Sequence, residues 1–153
     1  MARLMADGDE LRQSRQPQFE LEGWIDTAPF EDLVGLKIEK AAEGKSVLTV
    51  PFKVKLAMGG GFMHGGAITT LADTAVAMAI KSLLPPGTIF ATTELTTRFL
   101  APVKQGVVTA TAVVRGPEGR SFYGEAKVTD ESGVEAAIFH SVFRVARGQG
   151  FDD

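Results

Sequence analysis

Asp73 is the single acid between Glu43 and Glu94, and it falls in the middle of an apolar run. Burying a carboxylate costs on the order of several kcal/mol unless it is paired, hydrogen-bonded or protonated. Perturbed acids of this kind cluster at functional sites, although an aspartate that caps a neighbouring loop or reaches solvent fits the same pattern. Eight positions upstream, Gly65 and Gly66 fall where the helical pattern begins. The first backbone N–H groups of a helix lack intrahelical partners, and the helix dipole is positive there. Glycine lets a ligand come close to the backbone. Such a terminus is suited to a carbonyl oxygen that becomes an oxyanion, and one donor of this type is typically worth ~3 kcal/mol. A flexible loop entering a helix is the plain alternative.

The spacing has a geometric consequence. Eight residues along a helix axis span ~12 Å, so Gly65 and Asp73 of one chain cannot easily grip one carbonyl together. If both act on the same group, the aspartate must come from a second copy of the helix, across a two-fold interface. Catalysis would then require at least a homodimer.

Other candidates carry less chemistry. His64 is a catalytic candidate that could serve as a general base, but with no G-x-S-x-G elbow and no Ser-His-Asp order around it, a role orienting the loop through a hydrogen bond is preferred. His140 alternates with Ile138 and Val142 and reads as a core or interface histidine. With two histidines and no cysteine in the chain, neither a histidine cluster nor a thiolate metal site is expected. No metal and no cofactor are called for. The Gly59–Gly61 run matches neither nucleotide-loop signature. Between Thr88 and Leu100, period two places Thr92, Glu94, Thr96 and Arg98 on one face, suited to a ligand channel, a subunit interface or a solvated surface.

The elements that hold these groups follow from periodicity and punctuation. Ile68, Leu71, Ala72, Ala75, Val76, Ala79 and Leu83 recur at three and four, predicting a helix from Gly65 that Pro85, Pro86 and Gly87 stop. It is apolar on nearly every side and thin with alanine, so something large must cover it. Leu36–Ala42 and Ser46–Val54 read as strands around Glu43-Gly44-Lys45, with Pro51 pointing to an edge or a bulge. Thr88–Leu100, Gly106–Arg115, Ser121–Thr129 and Val134–Ala146 follow with period two and short separators, which favour antiparallel neighbours. Small residues at Ala110, Ala112, Gly124 and Ala126 would let that sheet approach the helix closely. Pro29–Gly35 reads as a short helical turn. Residues 1–28 form a polar, loosely held arm that includes Asp7, Asp9 and Arg15, residues 29–147 the domain, and 148–153 a loose tail.

Composition bounds the whole. At 153 residues, 44% hydrophobic, 23% charged and net charge −3, the chain fits one globular domain without the basic excess of a nucleic-acid binder. The run from Ala67 to Leu84 is broken by Asp73 and Lys81, so no membrane span is expected. The N-terminus has no apolar core of signal-peptide length, which makes the cytoplasm the expected compartment.

The run G-F-M-H-G-G-A-x-x-x-L-A-D over Gly61–Asp73, followed by Glu94–Pro102 (ELTTRFLAP) and a final pair of hairpin strands, resembles the hot-dog-fold acyl-CoA thioesterases of the phenylacetate-pathway and 4-hydroxybenzoyl-CoA type. The resemblance runs from about Pro29 to Val145. It implies an α+β architecture, one long central helix wrapped by a curved antiparallel sheet of about six strands. It implies that Gly65 supplies the oxyanion N–H and that Asp73 of the partner subunit is nucleophile or general base. Thr92 or Thr93 would help hold the water or nucleophile, and Arg120 and Ser121 would meet the CoA phosphates or pantetheine arm. Met58 stands where many relatives carry asparagine, and a thioether does not reproduce amide hydrogen bonds. Gly66, Phe62, Met63 and Leu84 complete the expected substrate surroundings.

The expected function is hydrolysis of an acyl-CoA with an aryl or medium-chain acyl group, by a homodimer arranged as a dimer of dimers. A non-catalytic acyl-CoA-binding protein is the alternative. A thioester dehydratase or hydratase is disfavoured, because the acid–histidine motifs of those relatives are absent.

Overall fold

A computed structural model of the chain describes residues 1–5, 10–13 and 16–152. Its framework is a six-stranded antiparallel sheet curved around one helix. In chain order the elements are β1 (Arg3–Leu4), β2 (Phe19–Glu20), α1 (Pro29–Val34), β3 (Lys37–Ala42), β4 (Lys45–Pro51), a 3-10 turn at Val54–Leu56, and α2 (Gly65–Lys81). They continue with β5 (Phe90–Phe99), β6 (Val107–Glu118), β7 (Ser121–Thr129) and β8 (Glu135–Val145).

Each boundary has a local cause. Gly35 ends α1 at φ +89°, a left-handed conformation that glycine adopts without strain. Glu43 and Gly44 both take positive φ in the β3–β4 turn, the requirement of a tight hairpin whose twist matches its strands. At the far end of α2, Ser82 Oγ donates to Ala79 O and accepts from Gly44 N–H, so the helix stops at Lys81, before the prolines.

The sheet runs β3-β4-β6-β7-β8-β5. The chain leaves β4 near one edge, crosses as α2, and returns as β5 at the other edge. Pro51 is therefore neither on an edge strand nor at a bulge. It is the last residue of the internal strand β4, opposite Val107, where the missing N–H closes the ladder instead of breaking it.

α2 lies across β4, β6 and β7, with Leu71, Ala72, Ala75, Val76, Ala79 and Ile80 fully buried against Leu48, Val50, Val108, Ala110, Val128 and Phe139. Small residues permit the approach. A Cβ built at Gly124 would stand 2.2 Å from Val76 Cγ1, so any side chain on the strand at that point would force helix and sheet to shift apart.

The terminal segments differ from the expectation of loose ends, as far as their described residues go. Trp24 Nε1 donates to Lys81 O at 2.9 Å, Lys81 Nζ donates to Trp24 O at 3.0 Å, and the ammonium stands 4.7 Å from the indole centroid. Thr27 is buried, and Ala2 N–H donates to Asp32 Oδ2 at 2.7 Å. In the tail, Phe151 packs edge-on to Phe122 and Gln149 Oε1 accepts from Ile89 N–H. The arm is held because the indole N–H of Trp24 finds the Lys81 carbonyl at the last residue of α2, and the tail because Phe151 finds the ring of Phe122 on β7. Residues 6–9, 14–15 and 153 of the arm and tail lie outside the described set.

Candidate active site

The loop that delivers the chain into α2 is fastened strand-like on both sides. His64 N–H donates to Leu56 O at 2.8 Å and Met63 N–H to Val103 O at 2.9 Å. His64 is the N-cap of α2, and its Nδ1 accepts from Gly66 N–H at 2.8 Å. One orphan donor of the helix terminus is thereby satisfied, and the neighbouring Gly65 N–H has no acceptor among the described residues. His64 is thus the cap of α2.

β5 runs antiparallel to α2 along a single helix face. Gly65 lies under Phe99, whose Cζ would be 3.0 Å from a Cβ at that position. One turn on, Thr69 and Thr97 share a hydroxyl hydrogen bond of 2.9 Å. A further turn on, Thr92 Oγ1 donates to Asp73 Oδ1 at 2.8 Å. Burial pushes the Asp73 carboxyl above the usual carboxylate range, and the Thr92 hydroxyl opposes that shift by stabilising the charged form. Asp73 is partly exposed in a stripe with Gly66, Thr70 and Ala77, the side of α2 that the sheet does not cover. Because α2 is unbroken from Gly65 to Lys81, the ~12 Å separation within one copy stands.

Around Gly65 opens a cavity of about 390 Å³ lined by Met58, Phe62, Met63, Ile68, Phe99 and Val103 among others. Every side chain on its wall is apolar.

A profile of the thioesterase superfamily matches residues 60–137, from the glycine loop through the first residues of β8. The chain belongs to the thioesterase superfamily. It is 30% identical over 137 residues, 83% of its length and 91% of the relative's, to a Halobacterium salinarum protein whose name assigns it to the esterases. It is 28% identical over 102 residues to the 1,4-dihydroxy-2-naphthoyl-CoA hydrolase of Listeria monocytogenes, spanning 67% of this chain and 83% of that one. Among solved structures, the Escherichia coli PaaI protein from the phenylacetic acid degradation operon superposes with a TM-score of 0.72 at 27% identity, covering 80% and 87% of the two chains. The helix in its curved sheet is the hot-dog fold, and the chemistry of the superfamily is thioester hydrolysis.

Not every expected residue of this thioesterase-superfamily chain lies at the site. Of the two threonines, Thr92 reaches Asp73, while Thr93 donates to Val142 O at 3.1 Å. The β5–β8 register shifts between Thr92 and Glu94. That extra residue moves Thr92 onto the helix side with Thr97, so the face expected to carry Thr92 with Glu94, Thr96 and Arg98 is split. Arg120 is only 8% exposed and its guanidinium donates to Val145 O at 3.0 Å. It ties the β6–β7 turn to the end of β8 and does not stand open to phosphates. Ser121, partly buried, pairs with Arg144 in the β7–β8 ladder. Leu84 is buried beyond the far end of α2, away from the cavity. His140 is exposed on the outer sheet face, 3.8 Å from Glu125, and is not a core residue.

Met58 keeps a turn role without an amide. Its Sδ accepts from Gly60 N–H at 3.0 Å, its N–H donates to Phe62 O, and its O accepts from Gly61 N–H. Phe99 went unforeseen at the site. Its signal was period-two alternation, which places Phe99 on one face with Leu95 and Thr97, opposite Glu94, Thr96 and Arg98. Among the described residues no three histidine or acidic side chains come together as a metal-binding group, and no helix is long and apolar enough to cross a membrane.

Proposed function

We propose that the protein hydrolyses acyl-CoA thioesters to the free acid and CoA, at a site assembled from two copies of the chain. The carbonyl oxygen accepts from Gly65 N–H of one subunit, and Asp73 of the partner subunit acts as the general base. Asp73 takes a proton from water as its oxygen bonds to the carbonyl carbon, and the tetrahedral intermediate places its negative charge against Gly65 N–H. Collapse breaks the carbon–sulfur bond, releasing CoA thiolate, which takes up a proton. Thr92 occupies Oδ1 of Asp73 and leaves Oδ2 for water. The raised affinity of Asp73 for protons suits it to base catalysis.

The observation that carries this reading is the pair of unspent groups on one rigid helix, an N–H without an acceptor at Gly65 and a carboxylate held at one oxygen at Asp73, too far apart to serve one carbonyl within a copy. The second copy is supported by β5, a ten-residue strand paired only with β8 among the described residues, with Leu95 exposed along it. An open strand edge of that length is a template for pairing. Thiol release from a panel of acyl-CoA esters tests the proposal, and Asp73→Ala with wild-type turnover on the best substrate would refute it.

A non-catalytic acyl-CoA-binding protein is the second reading, favoured by Met58, whose thioether is turned into its own loop. Tight binding of CoA esters with no thiol release across the panel distinguishes it.

A further inference from the structure

We infer that the cavity beside Gly65 is an acyl site selective for uncharged, apolar acyl groups, and that Phe99 is its specificity-determining residue. The inference rests on the thioesterase reading and deepens it. The cavity wall combines the Met58–Met63 loop, the first turns of α2 and the exit of β5, and it carries no charged or hydrogen-bonding side chain. A phosphate or an acyl carboxylate placed there would find no cation and no hydrogen-bonding side chain to replace its hydration. The pantetheine and nucleotide must therefore leave the site in another direction, and the acyl chain fills the cavity. Its volume of about 390 Å³ falls within the range of small-molecule pockets.

Phe99 decides the shape of this site. Its ring lies against Gly65 closely enough that a Cβ there would be in tight contact, yet the residue remains 53% exposed. An aromatic ring left half in water at the end of an edge strand gains contact area when an apolar acyl group lies along it. Met58, also on the wall, holds its sulfur on Gly60 N–H. The wall at that point is a thioether with its one acceptor already engaged, so a polar acyl substituent finds no partner. A site of this type discriminates against an added hydroxyl only modestly, up to about a hundredfold, and far more strongly against a charge.

The test uses the full-length protein and two hydrolysis-inert ketone analogues, S-(2-oxoheptyl)-CoA and its counterpart bearing a terminal carboxylate on the same chain. Calorimetry gives a Kd for each and for free CoA. The expected result is tighter binding of the uncharged analogue by at least about tenfold, and loss of roughly that factor in Phe99→Ala with the Kd of free CoA unchanged. Phe99→Leu restores part of it. Equal binding of the two analogues, an unchanged ratio in Phe99→Ala, or no binding of either overturns the inference. Hexanoyl-CoA hydrolysis by the same preparations reports separately on the thioesterase reading, so the failure of one is distinguishable from the failure of the other.

Discussion

Thr92 reaches Asp73 across the gap between an edge strand and the central helix, its hydroxyl 2.8 Å from Oδ1. Two opposing influences meet at that carboxylate: burial raises its proton affinity and the hydroxyl lowers it. Removing the hydroxyl with Thr92→Val leaves burial unopposed. The acidic limb of the kcat/KM profile is expected to move to higher pH, with turnover at neutral pH reduced. Asp73→Asn is expected to lose about 10²–10⁴-fold in turnover, the usual worth of a positioned base.

Asp73 also links pH to stability. Its folded proton affinity lies above its unfolded value, so its contribution is fully present below the unfolded value near 3.8 and is lost as pH rises through the folded one. Asp73→Asn is therefore expected to have a higher Tm than the wild type at pH 7, with the difference shrinking as pH falls towards 3.8. Paired thermal melts across pH check this.

A shared site predicts complementation. Gly65→Pro removes the oxyanion N–H at a position where a helix tolerates proline, and Asp73→Asn removes the base. Each variant alone is expected to be nearly inactive. After joint unfolding and refolding of equal amounts, half of the dimers are mixed and each of those holds one intact site. About a quarter of wild-type activity should return if subunits pair at random. No recovery, with mixed dimers demonstrated by mass spectrometry, would place both groups in one subunit.

Helix and sheet meet most tightly at Gly124 and Val76. With 2.2 Å between Val76 Cγ1 and a built Cβ, Gly124→Ala is expected to destabilise by about 1–3 kcal/mol through overpacking. Adding Val76→Ala should recover part of that loss, because the two sites share one contact. Denaturant midpoints measure both.

The N-terminal segment is expected to stabilise the far end of α2. Trp24→Ala removes an indole hydrogen bond and a cation–π contact with Lys81, an expected cost of about 1–2 kcal/mol. Trp24 is the only tryptophan in the chain, so its fluorescence follows release of the segment directly.

Much of the molecule was legible in the amino-acid order. Repetition at three and four over Ile68–Ala79 marked a helix that must be enclosed, and short turns between period-two runs required an antiparallel sheet to enclose it. Both are local statistics of side chains, and local statistics survive folding. The eight-residue interval between Gly65 and Asp73 set their distance, because helix rise is nearly constant.

Only the tertiary structure decided what faces these groups. A one-residue bulge at Thr93 reversed the parity of β5 before Glu94, placing Thr92 on Asp73 and on the same side as Thr97 and Phe99, and a strand pattern read alone does not reveal where its ladder slips. The resemblance assigned Arg120 to the CoA phosphates or pantetheine arm, but the end of β8 offered its guanidinium a buried carbonyl. Trp24 looked like part of a loose arm until the uncovered end of α2 gave its indole a partner. In each case sequence set which group was present, and packing between elements distant in the chain set its partner, because contact is a property of space that spacing along the chain does not encode.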